Sequence, residues 1–312
     1  MPDTRLSPTA GTTAAVLTSN VARMLGDFPY EDIHTNNLTS SGTSVTIGTG
    51  GADRYEVGDT IDWLDDGSFN AEIVSAVADT TLTLQAPRGA HGTTAAAHDG
   101  STTPKRFRKN PRYLSHYINK AVNDSLVQDL YPNLFAVYET QITYTPSTAD
   151  WYEIDVVAEE VLFAYQKPDT GNVDLLRCLV SQPFYVDATL ASTHKKAVKV
   201  RGARDDNNTI FVQYARIPAV GDLSSAMARI VEYGACKRML EQYGAHLLSN
   251  RPELVQSGVM VPGQATRDAR WFASEQDRMI RAEKTVLDRR FPRRQRKWIP
   301  GEGSTHVFER VR

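Results

Sequence analysis

The character of the sequence changes four times along the chain, and this alternation limits the possible folds more than any single motif does. Apolar residues recur every three or four positions, as in amphipathic helices, in 11–26, 110–131 and 222–290. Between these stretches lie 35–103 and 138–220, where short β-type runs are separated by Gly, Asp, Asn and Pro turns. The pattern predicts helices interrupted by two β-rich units, which places the fold in the α+β class.

The predicted organisation follows these changes. A helical bundle scaffold is expected from three pieces of the chain, 1–34, 106–136 and 222–291. A small β-barrel or sandwich module is expected over 35–105 and a second β-rich unit over 137–221. The strand runs predicted in the module are 44–47, 60–63, 72–77 and 81–84. Residues 292–312 are too few and too polar to form a core and are expected to be an extended arm.

Local signals predict where the helices lie. Asn110-Pro111 is typical of an N-cap followed by a first-turn proline, so a helix is predicted from there to residue 131. A helix after residue 222 presents apolar side chains at every fourth position: Met227, Val231, Ala235 and Met239. A last helix over 266–290 is predicted to direct four apolar side chains toward a partner helix: Phe272, Met279, Ala282 and Val286.

Composition and charge exclude several classes of protein. With 312 residues, 41% of them apolar, the chain can bury a substantial core, so disorder throughout is excluded. The net charge of −2 gives no overall attraction to nucleic acid or to anionic membranes, so a charged partner must recognise a local patch. No run of apolar residues reaches the length that a membrane span requires, and a soluble protein made in a reducing cytoplasm is expected.

Residue types that carry catalysis or bind metals are present, but not in productive patterns. Cys178 and Cys236 have no CxxC spacing, and the seven histidines have no metal-ligand spacing, so the histidines are interpreted as surface or loop residues. The stretch 48–51 lacks the Lys-Ser/Thr of a phosphate loop, and 65–67 (Asp-Asp-Gly) is typical of a turn. No catalytic residue, metal or cofactor is predicted.

One charged stretch near the C-terminus suggests a function. Residues 289–297 contain six basic residues and no acidic residue. Arginines bind carboxylates, and the apolar residues around them are typical of interface hot spots, so a partner-docking arm is favoured. Contact with nucleic acid and a solvated tail remain open as alternatives. The predicted partner-binding residues are Arg289, Arg290, Phe291, Arg293, Arg294, Arg296, Lys297, Trp298, Ile299, Val307 and Phe308.

Two parts of the sequence resemble proteins of tailed bacteriophages. The run 88–98, RGAHGTTAAAH, resembles a small β-module that recurs in phage structural proteins. The surrounding frame resembles the head-to-tail connector, or adaptor, proteins of these phages. The resemblance lies in a first helix that ends in RMLGD (23–27), a second that contains YINKA (117–121) and closes on LYP (130–132), and two C-terminal helices.

The resemblance implies a non-enzymatic structural subunit of the virion neck. Connector proteins form a ring, usually of twelve copies, beneath the portal vertex, and double-stranded DNA passes through the ring without sequence-specific binding. The implied partners are other copies of the chain, the portal protein, and a stopper or tail-completion protein below the ring. No membrane partner is implied, and residues 291–312 are expected to bind the portal.

Three other functions remain open from the sequence. A tail-completion or stopper protein would share most of the same physical features. A nucleic-acid-binding protein would use 289–297 as its contact segment. A hydrolase or carbohydrate-binding protein would place its site on the β-rich units, which is an analogy at the level of fold alone.

Overall fold

A computed structural model describes residues 12–48, 51–65, 68–131, 133–134, 136–143, 209–242 and 263–290. It also describes the backbone of five strands, at 151–154, 160–166, 177–179, 183–185 and 196–199. The described chain contains both helices and antiparallel sheets, so the α+β class is confirmed. The predicted arm, 292–312, lies outside the described residues.

A six-stranded antiparallel sheet forms the first β-rich unit. Its strands are β1 (Tyr30–His34), β3 (Ser44–Thr46), β4 (Thr60–Trp63), β5 (Ala71–Ala78), β6 (Thr81–Leu84) and β8 (Lys105–Lys109), in the spatial order β1-β8-β4-β5-β6-β3. A bridge between His34 and Ile47 brings the two outer strands together, so the sheet curls toward a barrel. The short strands β2 (Asn37–Leu38) and β7 (His98–Asp99) pair beside it.

The inward faces of these strands supply the core of the sheet. The fully buried side chains include those of Ile61, Trp63 and Phe107. The four predicted strand runs are confirmed. Strand β1 lies just before the predicted module, 35–105, and β8 begins at its last residue and extends beyond it. The sheet is larger than predicted because the chain enters and leaves it through this antiparallel pair.

The second β-rich region forms two further antiparallel sheets. The strands are β9 (Ala136–Thr143), β10 (Trp151–Ile154), β11 (Glu160–Gln166), β12 (Arg177–Leu179), β13 (Pro183–Tyr185), β14 (Lys196–Lys199) and β15 (Thr209–Arg216). One sheet has the order β12-β11-β15-β9 and the other β10-β14-β13. Long β9 and β15 pair along their whole length, from Thr143 opposite Thr209 to Ala136 opposite Arg216.

In the described part of the chain, four helices pack around a second core. They are α1 (Ala14–Met24), α2 (Ser115–Ser125), α3 (Ser225–Gln242) and α4 (Gln264–Arg290). Thr13 caps α1 because its hydroxyl accepts a hydrogen bond from Val16 N at 3.2 Å. Gly26 ends this helix with a φ of +72°, a left-handed conformation that glycine adopts without strain. The predicted first helix is confirmed.

The predicted start of the second helix is wrong. Asn110 has a φ of +45° and lies at the end of β8, where its side chain accepts a hydrogen bond from Thr60 N at 2.7 Å. Helix α2 begins five residues later, at Ser115, and passes into a π-helical turn over Leu126–Leu130. Asn110 therefore organises the sheet, and the cap of α2 comes from elsewhere in the chain.

The buried face of α4 differs in part from the predicted one. Phe272 is buried, Met279 packs against the helical core, and Ala282 is exposed. Val286 is only partly buried, because burial in the described part of α4 ends at Ile280. The side chains buried along the helix are those of Ala265, Ala269, Phe272, Gln276 and Ile280.

Close packing at Gly234 joins three helical segments. A Cβ atom on Gly234 would lie 2.1 Å from Ser125 Oγ, 2.2 Å from Gln276 Nε2 and 2.8 Å from Asp129 Oδ2. The three atoms belong to α2, α4 and the π-helical turn, so α3 approaches its neighbours through a position where any side chain would clash. This contact explains why α3 contains a glycine despite its helix-destabilising effect.

Replacing Gly234 by alanine is expected to lower the free energy of unfolding by about 1–3 kcal/mol, because the added methyl group overpacks the helix contact. Gly221→Ala provides a control, since a Cβ there meets no atom within 4 Å. Urea denaturation of both variants measures the effect. Equal stabilities for the two variants would contradict the tight contact.

Candidate functional site

The six-stranded sheet and the helices meet at a buried ion-pair network, which we call the junction. It consists of Asp27, which follows α1, Asp62 on β4, Arg108 on β8 and Ser115 at the start of α2. Asp62 and Arg108 are opposite each other in the β4–β8 pairing. All four residues are buried, so their polar groups need partners within the protein.

The Arg108 guanidinium holds the junction together. Its Nε and Nη2 atoms donate to Asp62 Oδ2 at 3.2 and 2.6 Å, and Nη1 donates to Asp27 Oδ2 at 3.3 Å. Nη2 also donates to the Tyr113 carbonyl at 2.7 Å. One arginine therefore binds two carboxylates and the segment before α2, a role that the planar guanidinium suits.

The two carboxylates organise the backbone that leads into α2. Asp62 accepts hydrogen bonds from Ser115 N at 2.9 Å and from Ser115 Oγ at 2.7 Å. Asp27 accepts from the backbone N–H groups of Arg112 and Tyr113, each at 3.1 Å. Asp62 thus caps α2 from a distant strand, where the helix dipole also favours a negative charge. Burial raises the pKa of Asp62, and Arg108 and Ser115 oppose that rise.

A second buried network lies inside the sheet, and we call it the module network. It links Asp65, Asn70, Glu72, Arg88 and His98. His98 Nδ1 lies 2.5 Å from Asp65 Oδ2, and its Nε2 lies 2.6 Å from Asn70 Oδ1. Asn70 donates to Glu72 Oε1 at 2.8 Å, and Arg88 Nε donates to the same oxygen at 3.1 Å. The polar groups form one continuous chain through the sheet.

The run 88–98 supplies much of this network. Arg88 pairs with Glu72, and Gly89 N donates to Glu72 Oε2 at 2.7 Å. Gly89 has a φ of +94°, and a Cβ there would lie 2.6 Å from Thr93 O, so the turn requires glycine. His98 is 1% exposed and stacks on Trp63 with ring centres 4.2 Å apart. The run 88–98 therefore holds the interior of the sheet together through buried polar contacts and ring stacking.

The interpretation of the histidines as surface or loop residues is wrong for two of them. His34 and His98 are buried, and His34 Nε2 lies 3.1 Å from the His98 carbonyl oxygen. Burial lowers the pKa of His34, so its ring is buried as neutral imidazole. His91 is exposed, as predicted. The spacing of the histidines does not reveal burial, which depends on strands distant in sequence.

The predicted partner-binding residues lie at or beyond the end of the described chain. Arg289 and Arg290 are the last two residues of α4, and only their backbone is described. The other nine lie outside the described residues: Phe291, Arg293, Arg294, Arg296, Lys297, Trp298, Ile299, Val307 and Phe308. The structure therefore shows a helix leading into the basic segment, and the predicted role of the segment stays a prediction.

Two clefts lie on the described part of the chain. A cleft of about 300 Å³ between the end of α3 and the start of α4 is lined by residues that include Leu240, Glu241 and Arg270. A smaller one of about 90 Å³ lies beside Arg108 and Phe28. Among the described residues, no group of three or more His, Cys, Asp or Glu side chains has a metal-binding arrangement. None of the described helices is long and apolar enough to cross a membrane.

Comparisons with known proteins do not assign the chain to a family. Neither the protein-family models nor the curated proteins contain a match to its sequence.

Sequence reasoning missed the residues that form the junction. Asp62 and Arg108 are charged residues in the middle of β-type runs, TIDW and KRFRK, where strand alternation places them on the face opposite to Ile61, Trp63 and Phe107. The alternation alone predicts a solvent-exposed face, and the segments that contain Asp27 and Ser115 bury the two charges. Their pairing joins positions 46 residues apart, which local patterns do not predict.

Replacing Arg108 by methionine is expected to destabilise the protein by about 3–5 kcal/mol, because it leaves two buried carboxylates without a cation. Arg106→Met is the matched control on the same strand. Arg106 is half exposed and lies 3.7 Å from Glu31, so its loss is expected to change stability by less than about 1 kcal/mol. Thermal and urea unfolding compare the two variants, and similar losses in both would show that the junction contributes little.

The pH dependence of stability should contain a contribution from His116, in the first turn of α2. Burial, with a smaller contribution from His91, lowers the pKa of His116 to about 4 from 6.5. Between these values the unfolded chain binds a proton that the folded chain does not, so stability is complete above pH 6.5 and falls as the pH is lowered toward 4. His116→Gln should lose less stability between pH 7 and 5 than the natural chain, as measured by urea unfolding. An identical loss would exclude this contribution.

Proposed function

We propose that the chain is a non-enzymatic structural subunit of a phage neck, which forms a ring adaptor between the portal and the tail. Double-stranded DNA passes through the ring, and the C-terminal segment binds the portal. The virion neck is then its location, and its partners are other copies, the portal and a stopper or tail-completion protein. The resemblance of the helices and of the run 88–98 to phage structural proteins is the origin of this proposal.

The junction is the structural observation that supports the proposal best. It ties the sheet to the helices through buried, charge-assisted hydrogen bonds. A subunit in a ring that transmits force between head and tail needs such rigid connections between its parts. Inside the sheet, the buried Glu72 and Arg88 are engaged in an ion pair.

The charge of the chain suits passage of DNA. A channel lined by many unpaired arginines would hold the duplex through counterion release, whereas a chain with a net charge of −2 permits sliding. In the described part of α4, basic and acidic side chains are interspersed, and Arg278 pairs with Glu275 at 2.7 Å. The wall of the ring is therefore expected to confine DNA without reading its sequence.

Co-expression with the portal protein encoded nearby tests the proposal. The chain is compared with a form truncated after Phe291 and with a full-length form in which Arg293, Arg294 and Arg296 are replaced by glutamine. Native mass spectrometry measures the mass and stoichiometry of the complexes. A ring complex with the natural chain that is lost on truncation is expected, and the glutamine form should bind more weakly because it lacks the charge-assisted contacts.

The opposite outcomes favour the other functions. If neither the natural chain nor the truncated form binds the portal, the docking function is overturned. A tail-completion or stopper protein then becomes the better account. If the natural chain instead binds duplex DNA with strong salt dependence and the glutamine form does not, the basic segment is a nucleic-acid contact.

A further inference from the structure

An exposed surface that is both acidic and aromatic covers residues 28–33 and 53–59, and we call it the acidic face. Phe28 is 76% exposed, Val57 70% and Tyr30 42%. The Arg54 guanidinium lies 5.0 Å from the centre of the Tyr30 ring, which places the two segments side by side. An exposed cluster of this kind on a folded unit is typical of an interaction surface.

The acidic face carries a negative charge. Its five carboxylates are those of Glu31, Asp32, Asp53, Glu56 and Asp59. The four cations among or beside them are Arg23, Arg54, Arg106 and Lys109, of which Arg106 pairs with Glu31 and Lys109 with Asp59. Five carboxylates and four cations leave a net charge of −1. Within the described chain, the exposed carboxylates of Asp53 and Glu56 have no ion pair, so they are available to a basic partner.

We propose that the acidic face binds the basic segment 289–298 of a second copy of this chain. That segment has six basic residues, no acidic residue and two aromatic residues, Phe291 and Trp298. Its guanidinium groups match the exposed carboxylates through charge-assisted hydrogen bonds and stack on aromatic rings such as that of Phe28. The two sides of the contact therefore carry opposite charge, and both contain aromatic residues.

The length of α4 favours a second copy over the segment of the same chain. The start of α4 lines one cleft with Leu240 and Glu241 at the end of α3. One turn earlier in α3, the Cys236 thiol lies against the Val21 carbonyl near the end of α1, so the start of α4 is on the side of the helices that carries Phe28. The 22 residues from Asp268 to Arg290 extend about 33 Å along the helix. The eight residues from Arg290 to Trp298 span at most about 28 Å, which does not return the segment to its own acidic face.

This contact goes beyond the proposed portal binding and does not depend on it. Two different surfaces meet, one from each copy, so the contact is heterologous and repeats around a ring or along a filament. Residues 299–312 follow the docked segment and remain available for the portal. The inference therefore assigns residues 289–298, whose arginines the proposed function gives to the portal, to a second copy, and leaves residues 299–312 for the portal. A form with Arg293, Arg294 and Arg296 replaced by glutamine that loses self-association but keeps portal binding distinguishes this assignment from the proposed one.

Charge reversal on both sides tests the inference without the portal. Sedimentation velocity of the full chain over a range of concentrations measures self-association of four forms: the natural chain, Asp53→Lys/Glu56→Lys, Arg293→Glu/Arg294→Glu, and the combination of all four changes. Each double variant is expected to weaken self-association by at least about tenfold, and the combination is expected to recover part of the loss because opposite charges face each other again. Asp277→Lys, at an exposed position of α4, is the control for a simple change in net charge.

Each result bears on the inference directly. Recovery in the combined variant, with little effect of Asp277→Lys, supports contact between the acidic face and the basic segment. Self-association that is unchanged by reversal of the acidic face overturns it. A natural chain that stays monomeric at all concentrations also overturns it, since no second copy is then bound. Circular dichroism of each variant confirms that the exposed substitutions leave the fold intact.

Discussion

The Arg108 guanidinium, buried between Asp27 and Asp62, determines how the parts of this protein meet. One carboxylate follows α1 and the other lies on β4, while Arg108 itself lies on β8. The same carboxylates bind the backbone of Tyr113 and Ser115, so the start of α2 depends on them. A buried charge in low dielectric is stable only when it is fully paired, so each partner is required by the others. The position of the sheet on the helices follows from this requirement.

The elements built from local periodicity were predictable, and the contacts between them were not. The first helix and the strand runs of the module were predicted because their apolar residues follow helix or strand spacing over several positions. The start of α2 was misplaced because Asn110-Pro111 has the composition of a cap, whereas the real cap is Asp62 on a distant strand. Buried His98 was missed for a similar reason, since its partner Asp65 is 33 residues away. The candidate site depends on such long-range pairs, and single-sequence patterns contain no direct record of them.

The structure and the proposed function connect through rigidity and surface charge. The junction and the module network use buried polar groups to fix the parts of the chain, which is the property that a ring subunit under load requires. The exposed surface then differs between regions: the acidic face presents carboxylates and aromatic rings, while the segment after α4 is basic. Complementary regions on one chain favour assembly from identical copies. The proposed neck adaptor unites these features with the resemblance of the sequence to connector proteins.

Native-state hydrogen exchange tests most directly whether the sheet and the helices form one cooperative unit through the junction. The measurement compares the amides of Tyr113 and Ser115, which bind Asp27 and Asp62, with those of Phe107 in the sheet and Ile118 in α2. The account predicts that all four open only with global unfolding and have the same free energy of exchange. If Tyr113 and Ser115 exchange at a much lower free energy while Phe107 and Ile118 remain protected, the junction opens by itself, and the sheet and the helices are separate bodies.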